Sequence, residues 1–356
     1  MSHTILIMAG GTGGHIMPGL AVADELRAAG WKIAWLGARG GMEERLVPMH
    51  GYDLTTIAVQ GFRGRSLFAK ALMPFRLLRA LWASCVAIRT LRPDVVLGMG
   101  GFAAFPGGVM AALLRYPLAV HEQNAIPGMT NRILAVLAQV VMSGFPGAFK
   151  RAEWTGNPVA AAMSAMDDPK DRYQKRKGPL NILVVGGSLG AVALNVVVPK
   201  ALAQIPEADR PSVVHQAGLR HLDSLTLEYA KVGVKGELIA FIDNMAERYA
   251  HADLVICRAG AMTIAEISAA GLASVLVPFP FAVDDHQTAN ARFLADRGAA
   301  ILIPQSELSA GRLAGFISGL RRVDLMEMAE RSRAAARSGA AATVAQRCMD
   351  LVRGKA

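Results

Sequence analysis

The sequence predicts an α/β protein built as two doubly wound, parallel-sheet halves, and three observations carry that reading. Short apolar runs alternate with helix-period segments along nearly the whole chain, the strand–helix–strand pattern that puts helices on both faces of parallel strands. A glycine turn follows a buried first strand twice, at Gly10–Gly14 and again at Gly186–Ala191. The chain has 356 residues, more than one ordinary core fills. With only 6% aromatic residues and abundant Gly and Ala, its composition suits close α/β layers better than an aromatic-rich sandwich.

In the first half, strands are predicted at Thr4–Ala9, Lys32–Leu36, Leu54–Ala58, Asp94–Gly98, Leu118–His121 and Val140–Ser143. Helices are predicted between them at Ala21–Ala29, Glu43–His50, Ser66–Leu91, Ala103–Leu114 and Thr130–Ala138. Asp167–Pro179, with Asp-Asp-Pro, a Lys/Arg-rich run and Gly-Pro, reads as a polar linker. The pattern then restarts with strand Asn181–Val185 and helix Val192–Leu202. Further strands follow at Ser212–His215, Leu238–Phe241, Leu254–Cys257, Ser274–Val277 and Ala300–Ile303. Asp324–Val352 is helical in period, its tail placed to return to the first half. The predicted division is residues 1–160, 161–338 and a terminal helix 339–356. Two such halves facing each other leave a cleft, and ligands belong at the carboxyl ends of the strands.

Bulk properties narrow the function. The net charge is +10, of which roughly +7 falls in residues 1–160. A basic first half suits an anionic partner, yet stacking platforms, RNA-binding signatures and helix-turn-helix spacing are missing, so nucleic acid is not predicted. Cys85, Cys257 and Cys348 are isolated, with no CxxC and no His at ligand spacing, which fits a reducing compartment and neither a disulfide frame nor a zinc site. Met1–Thr4 runs into the first strand without a basic n-region, and no run of 18 apolar residues occurs, so a cytoplasmic, unprocessed chain without a membrane span is predicted.

The organising stretch is Met8-Ala9-Gly10-Gly11-Thr12-Gly13-Gly14-His15: buried strand, glycine turn, helix. Glycines let the backbone approach a ligand closely, and the helix start offers free N–H groups and a positive dipole end to an anionic or hydroxyl-rich group. Pro18 reads as a first-turn proline, and His15 as the one side chain on the loop that titrates near neutral pH. A nicotinamide or flavin site fails here, because Ile16 stands where G-x-G-x-x-G needs its last glycine and Leu36–Arg39 holds no acidic residue for a ribose. No G-x-x-x-x-G-K-[ST] exists either.

Other motifs each admit a plain and a functional reading. Gly98-Met99-Gly100-Gly101 is either a simple turn or a second edge of the same site. His121-Glu122-Gln123-Asn124, four polar side chains after an apolar strand, is better explained as a polar site wall than as unpaired buried groups. Cys257–Glu266 reads as strand end, small-residue loop and helix start: its N–H groups suit a diphosphate, and Glu266 is either a ribose acceptor or a helix-start acid favoured by the dipole. Asp284–Asn290 suits sugar hydroxyls; with no D-x-D and no paired His it predicts no metal. Ser66–Arg92 mixes Leu67, Phe68, Leu72, Phe75, Leu78, Leu81 and Trp82 with Lys70, Arg76, Arg79, Arg89 and Arg92, and reads equally as an anionic-membrane surface or a core helix.

Taken together, these motifs, with Phe145–Phe149, Gly156-Asn157-Pro158-Val159, Gly186-Gly187-Ser188 and Phe241-Ile242-Asp243, resemble the MurG family of bacterial wall synthesis, and they occur in order over nearly the whole chain. The resemblance implies a GT-B fold and inverting, metal-independent transfer of N-acetylglucosamine from UDP-GlcNAc, without a cofactor. The acceptor it implies is the C4 hydroxyl of undecaprenyl-pyrophosphoryl-MurNAc-pentapeptide (lipid I), giving lipid II at the cytoplasmic face of the inner membrane, with other wall-synthesis proteins as candidate partners. It assigns the acceptor side to Thr12, Gly13 and Gly14, and the layout makes His15 the expected base. Uracil is assigned to Ile242, ribose to Glu266, phosphates to Ser188 and the helix start Ala261, Met262 and Thr263, and sugar to Asn124 and Gln287, with Ile264 and Ala265 counted among the substrate-binding residues. One departure stands out: Ala160 occupies the place after Gly-Asn-Pro-Val where that family usually carries an Arg.

Overall fold

The computed structural model describes residues 2–59, 73–187 and 190–354. The chain divides into two compact units, Met1–Ala160 with Arg337–Ala356, and Ala161–Ala336.

The first unit is a parallel sheet of β1 (Thr4–Ala9), β2 (Lys32–Ala38), β3 (Asp53–Ile57), β4 (Val95–Gly100), β5 (Leu118–Glu122), β6 (Val140–Ser143) and β7 (Glu153–Trp154). The strand order is β3-β2-β1-β4-β5-β6-β7. Side chains alternate across it, as a strand dictates. Ile5, Ile7 and Ala9 pack with Ile16, Leu20, Val344 and Cys348 of helices Gly13–Ala28 and Ala340–Arg353. Leu6 and Met8 pack with Ala104, Ala111 and Leu134 of helices Ala104–Leu113 and Met129–Leu137. With both faces covered, β1 is apolar throughout, which is why an unbroken run and not an alternating one marks it in the sequence.

The second unit repeats the plan with β8 (Asn181–Val185), β9 (Ser212–Gln216), β10 (Glu237–Ile239), β11 (Leu254–Cys257), β12 (Ala273–Leu276) and β13 (Ile301–Leu302), all parallel, in the order β10-β9-β8-β11-β12-β13. Each sheet reverses its winding beside its first strand, between β1 and β4 and between β8 and β11. Such a switch point leaves an opening outside the carboxyl ends of the strands.

Four sequence expectations need correction. The first helix begins at Gly13, not Ala21, because Gly13 and Gly14 join it behind the extended N-cap Thr12. Pro18 is therefore its sixth residue, inside the helix, where it cannot donate to the Gly14 carbonyl. Asp167–Pro179 is no linker: it contains helix Pro169–Lys175, whose buried Arg172 donates to the carbonyls of Ala270 and Gly271. Just beyond, Arg176 Nη1 donates to the fully buried carboxylate of Asp253 at 2.7 Å. Finally, Asp324–Val352 is two helices, Arg322–Ala335 and Ala340–Arg353, separated by the extended Ala336 and by Gly339 at φ 68°.

Of the Ser66–Arg92 stretch, residues 60–72 lie outside the described residues, and the remainder forms helix Met73–Leu91. One face of this helix is buried, as the core-helix reading expects, and another is exposed. Ala80, Ser84, Cys85, Ala87 and Ile88 are buried, whereas Phe75, Leu78, Trp82 and Val86 form an exposed stripe at helical spacing. Trp82 is 68% exposed. No helix among the described residues is long and apolar enough to cross a membrane.

The switch point of the first unit depends on backbone approaching backbone. The β1–β4 register shifts between Met8 and Ala9, bringing Ala9 opposite Gly100. Gly101 follows at φ 85°, and a Cβ there would run into the carbonyl oxygen of Gly10. Substituting Gly101→Ala combines a left-handed backbone penalty with a backbone clash, and should destabilise the protein by more than about 2 kcal/mol, read as a lower urea midpoint. An unchanged midpoint would show that the two glycine segments have room to separate.

Candidate active site

At the carboxyl edge of β1, β4 and β5, the predicted residues of the first unit converge. Thr12 caps the helix with its backbone extended and makes no side-chain capping bond; Gly13, Gly14 and His15 form the first turn. The His15 ring is half-buried, and its Nδ1 lies 2.7 Å from Gln123 Oε1, tying the helix start to the end of β5.

The His121–Asn124 segment is a wall of paired groups. His121, Glu122 and Gln123 are at most 1% exposed, and each is hydrogen bonded. His121 Nε2 is 2.9 Å from the Gly156 carbonyl, and Gln123 Nε2 is 3.1 Å from His121 Nδ1. Burial pushes the His121 pKa down to about 4, so this ring is neutral at physiological pH. The Glu122 carboxylate accepts from the Asn124 and Gly128 backbone N–H groups and from the side-chain amides of Asn124 and Asn131. Asn124 is thereby held in place beside the His15–Gln123 contact.

In the second unit, β11 delivers Cys257 and Arg258 into a short loop, and helix Ala261–Ala270 starts behind the extended N-cap Gly260. Its N-cap is a glycine, so no N-cap side chain occupies its first N–H groups. Ala261, Met262 and Ile264 face the core, while Thr263, Ala265 and Glu266 keep partial exposure. Burial raises the Glu266 carboxyl to about 7, opposed by the hydroxyl of Tyr249, which lies 3.5 Å from Glu266 Oε2. Helix His286–Ala295 is joined to this loop by the buried Asn290, whose side chain donates to the Ala259 carbonyl. Gln287, on the same helix, accepts from the Phe279 N–H at 2.9 Å. Arg258 stacks on the Phe279 ring at 5.4 Å and donates to Gln305 Oε1, so the ends of β11 and β12 form one polar rim. Ile242 is buried beyond β10, which ends at Ile239 and is shorter than the sequence suggests. Ser188 lies outside the described residues.

Sequence reasoning missed Glu43. It reads there as an ordinary helix-start acid, yet it is fully buried, accepting from Ala38 N–H at 2.7 Å and Gly11 N–H at 3.2 Å. A Cβ on Gly10 or Gly41 would collide with its carboxylate, so the signal was the glycines on both sides of the space it fills. Asn131 and Asn157 brace β5 from neighbouring segments; Asn157 stands in the Gly-Asn-Pro-Val motif, whereas Asn131 gave no signal of its own.

Comparison with known proteins agrees with this architecture. The glycosyltransferase family 28 N-terminal domain matches residues 5–143, and the family 28 C-terminal domain matches residues 181–347. A protein of Nitrosospira multiformis named UDP-N-acetylglucosamine–N-acetylmuramyl-(pentapeptide) pyrophosphoryl-undecaprenol N-acetylglucosamine transferase is 58% identical over 99% of both chains. The protein of the same name from Aromatoleum aromaticum is 57% identical, again over 99% of each. The crystal structure of Acinetobacter baumannii MurG superposes with a TM-score of 0.84 at 39% identity, covering 98% of this chain and 99% of that one. With both domains matched in order and relatives of this identity along its full length, the chain belongs to glycosyltransferase family 28.

Proposed function

We propose that this chain transfers N-acetylglucosamine from UDP-GlcNAc to the C4 hydroxyl of the muramoyl sugar in undecaprenyl-pyrophosphoryl-MurNAc-pentapeptide, with inversion at the anomeric carbon. The observation that carries this reading is the full-length likeness to transferases bearing that name. The site chemistry supports it. In the first unit the His15 imidazole stands at the sheet's carboxyl edge and takes the proton of the acceptor hydroxyl. That oxygen attacks C1 of the sugar on the face opposite the nucleotide. The C1–oxygen bond to the diphosphate breaks, and the electron pair leaves with UDP. The free N–H groups at the start of helix Ala261–Ala270 meet the developing charge. Glu266 accepts the ribose hydroxyls, Ile242 borders the uracil, and Asn124 and Gln287 hold the sugar; this division gives acceptor chemistry to the first unit and the donor to the second.

The exposed Phe75, Leu78, Trp82 and Val86 stripe, flanked by Arg76 and Arg79, seats the first unit on an anionic membrane, where a lipid-linked acceptor resides. We place this on the cytoplasmic face, which supplies the soluble nucleotide sugar.

With UDP-GlcNAc, UDP release should require the lipid-linked muramoyl acceptor, and His15→Ala should lower kcat by about 10²–10⁴ while calorimetry shows unchanged UDP affinity. Release without acceptor, or full turnover in the variant, would overturn the reaction or the base assignment respectively. Because Glu266 titrates near 7 in the free protein and binds hydroxyls as a carboxylate, UDP affinity should be full above that pH and decline below it. The decline should flatten in Glu266→Gln, which leaves only UDP's own titration; an identical pH dependence in both proteins removes Glu266 from the ribose. Replacing Phe75 and Trp82 together by Ser should weaken co-sedimentation with phosphatidylglycerol vesicles by about tenfold or more, with turnover of a soluble acceptor analogue retained. Equal sedimentation would detach the stripe from membrane binding.

A further inference from the structure

The buried polar chain behind His15 has only one self-consistent arrangement of protons. It starts at the Gly156 carbonyl, which can only accept, so the His121 Nε2 that lies 2.9 Å away carries a hydrogen. The ring is fully buried and neutral, which leaves its Nδ1 as a bare lone pair. Gln123 Nε2 donates one hydrogen to that lone pair at 3.1 Å and its other to the His121 backbone carbonyl, also at 3.1 Å. The opposite amide orientation would set the Gln123 oxygen against two acceptors. Both amide hydrogens are therefore used, and Gln123 Oε1 faces His15 Nδ1 at 2.7 Å. An amide oxygen can only accept, so Nδ1 carries the proton.

We infer that Gln123 and His121 are positioning residues that hold the proton of neutral His15 on Nδ1 and so leave Nε2 bare as the basic atom. The inference rests on the reading of His15 as the base and deepens it. A free imidazole side chain favours the proton on Nε2, the tautomer that would cap the reactive nitrogen; which nitrogen is protonated is set by the bond the other makes. The relay also costs nothing during the reaction. When Nε2 takes the acceptor's proton, the Nδ1–H bond to Gln123 is already made and the ring keeps its orientation.

The surroundings hold the relay rigid. Asn157 donates to the Gln123 backbone carbonyl at 2.9 Å, and Asn131 donates to that of His121 at 3.2 Å. A Cβ on Gly100 would stand 2.9 Å from His15 Nδ1, so the bare glycine backbone lets the ring lie where Gln123 can reach it.

The test is ¹⁵N NMR of the full chain labelled at histidine, with His15 assigned by difference from His15→Ala, at a pH where its ring is neutral. The natural protein should show the hydrogen on Nδ1. Gln123→Met keeps the side-chain length and removes the amide. It should move the hydrogen toward Nε2 and lower kcat by about 10- to 100-fold, a part of what a positioned base contributes, with KM for UDP-GlcNAc within about twofold. A hydrogen on Nε2 in the natural protein overturns the inference whatever Gln123→Met does. An unchanged tautomer in a folded Gln123→Met variant, judged by its melting curve, overturns it as well. A tautomer that shifts as stated while kcat stays unchanged confirms the relay and overturns the base role of His15 instead.

Discussion

The first unit depends on bare backbone meeting bare backbone at the point where its sheet reverses direction. Gly101 lies against Gly10, and the register slip after Met8 sets Ala9 opposite Gly100. That approach lets two glycine segments, 90 residues apart in sequence, share one sheet edge. It also sets the His15 ring against a strand end that offers it no side chain to avoid. The dependence is steric before it is chemical: the electrostatics of the edge act only if the distance closes.

Once closed, the edge is stabilised by buried polar groups, some of them in space that glycines leave open. Glu43 occupies the space under Gly10 and Gly41 and accepts the N–H of Gly11. Glu122 gathers four donors from the loop and helix that follow β5. A buried carboxylate without donors would cost several kcal/mol, and these are satisfied from their own neighbourhood, so their burial produces rigidity and not strain.

The second unit handles burial differently. Its buried histidine, His215, is bonded on both nitrogens, to the hydroxyl of Tyr229 and the side chain of Asn195, and burial lowers its pKa to about 3. That pair of bonds ends in the core and reaches no exposed group. The His121 chain, by contrast, runs outward to a half-buried ring. The two buried histidines thus differ in where their hydrogen bonds lead: one set closes within the core, the other reaches the ring of His15.

The α/β plan, nearly every strand and both glycine turns are legible in the residues alone. Apolar runs, helical periods and glycine turns are local signals, and strands covered on both faces read as unbroken apolar stretches. How the polar groups are connected emerges only once the chain is folded. Asp167–Pro179 reads as solvent-loving because charge is counted locally, yet Arg172 and Arg176 find buried carbonyls and Asp253 across the fold. Pro18 reads as a first-turn residue until Gly13 and Gly14 are seen to be helical. Gln123 reads as one polar residue among four; only β5 lying beside the first helix turn makes it the link between two histidines. Local propensity is carried by neighbours in the chain, whereas these rings bond to partners 35 and 108 residues away, and no periodicity records them.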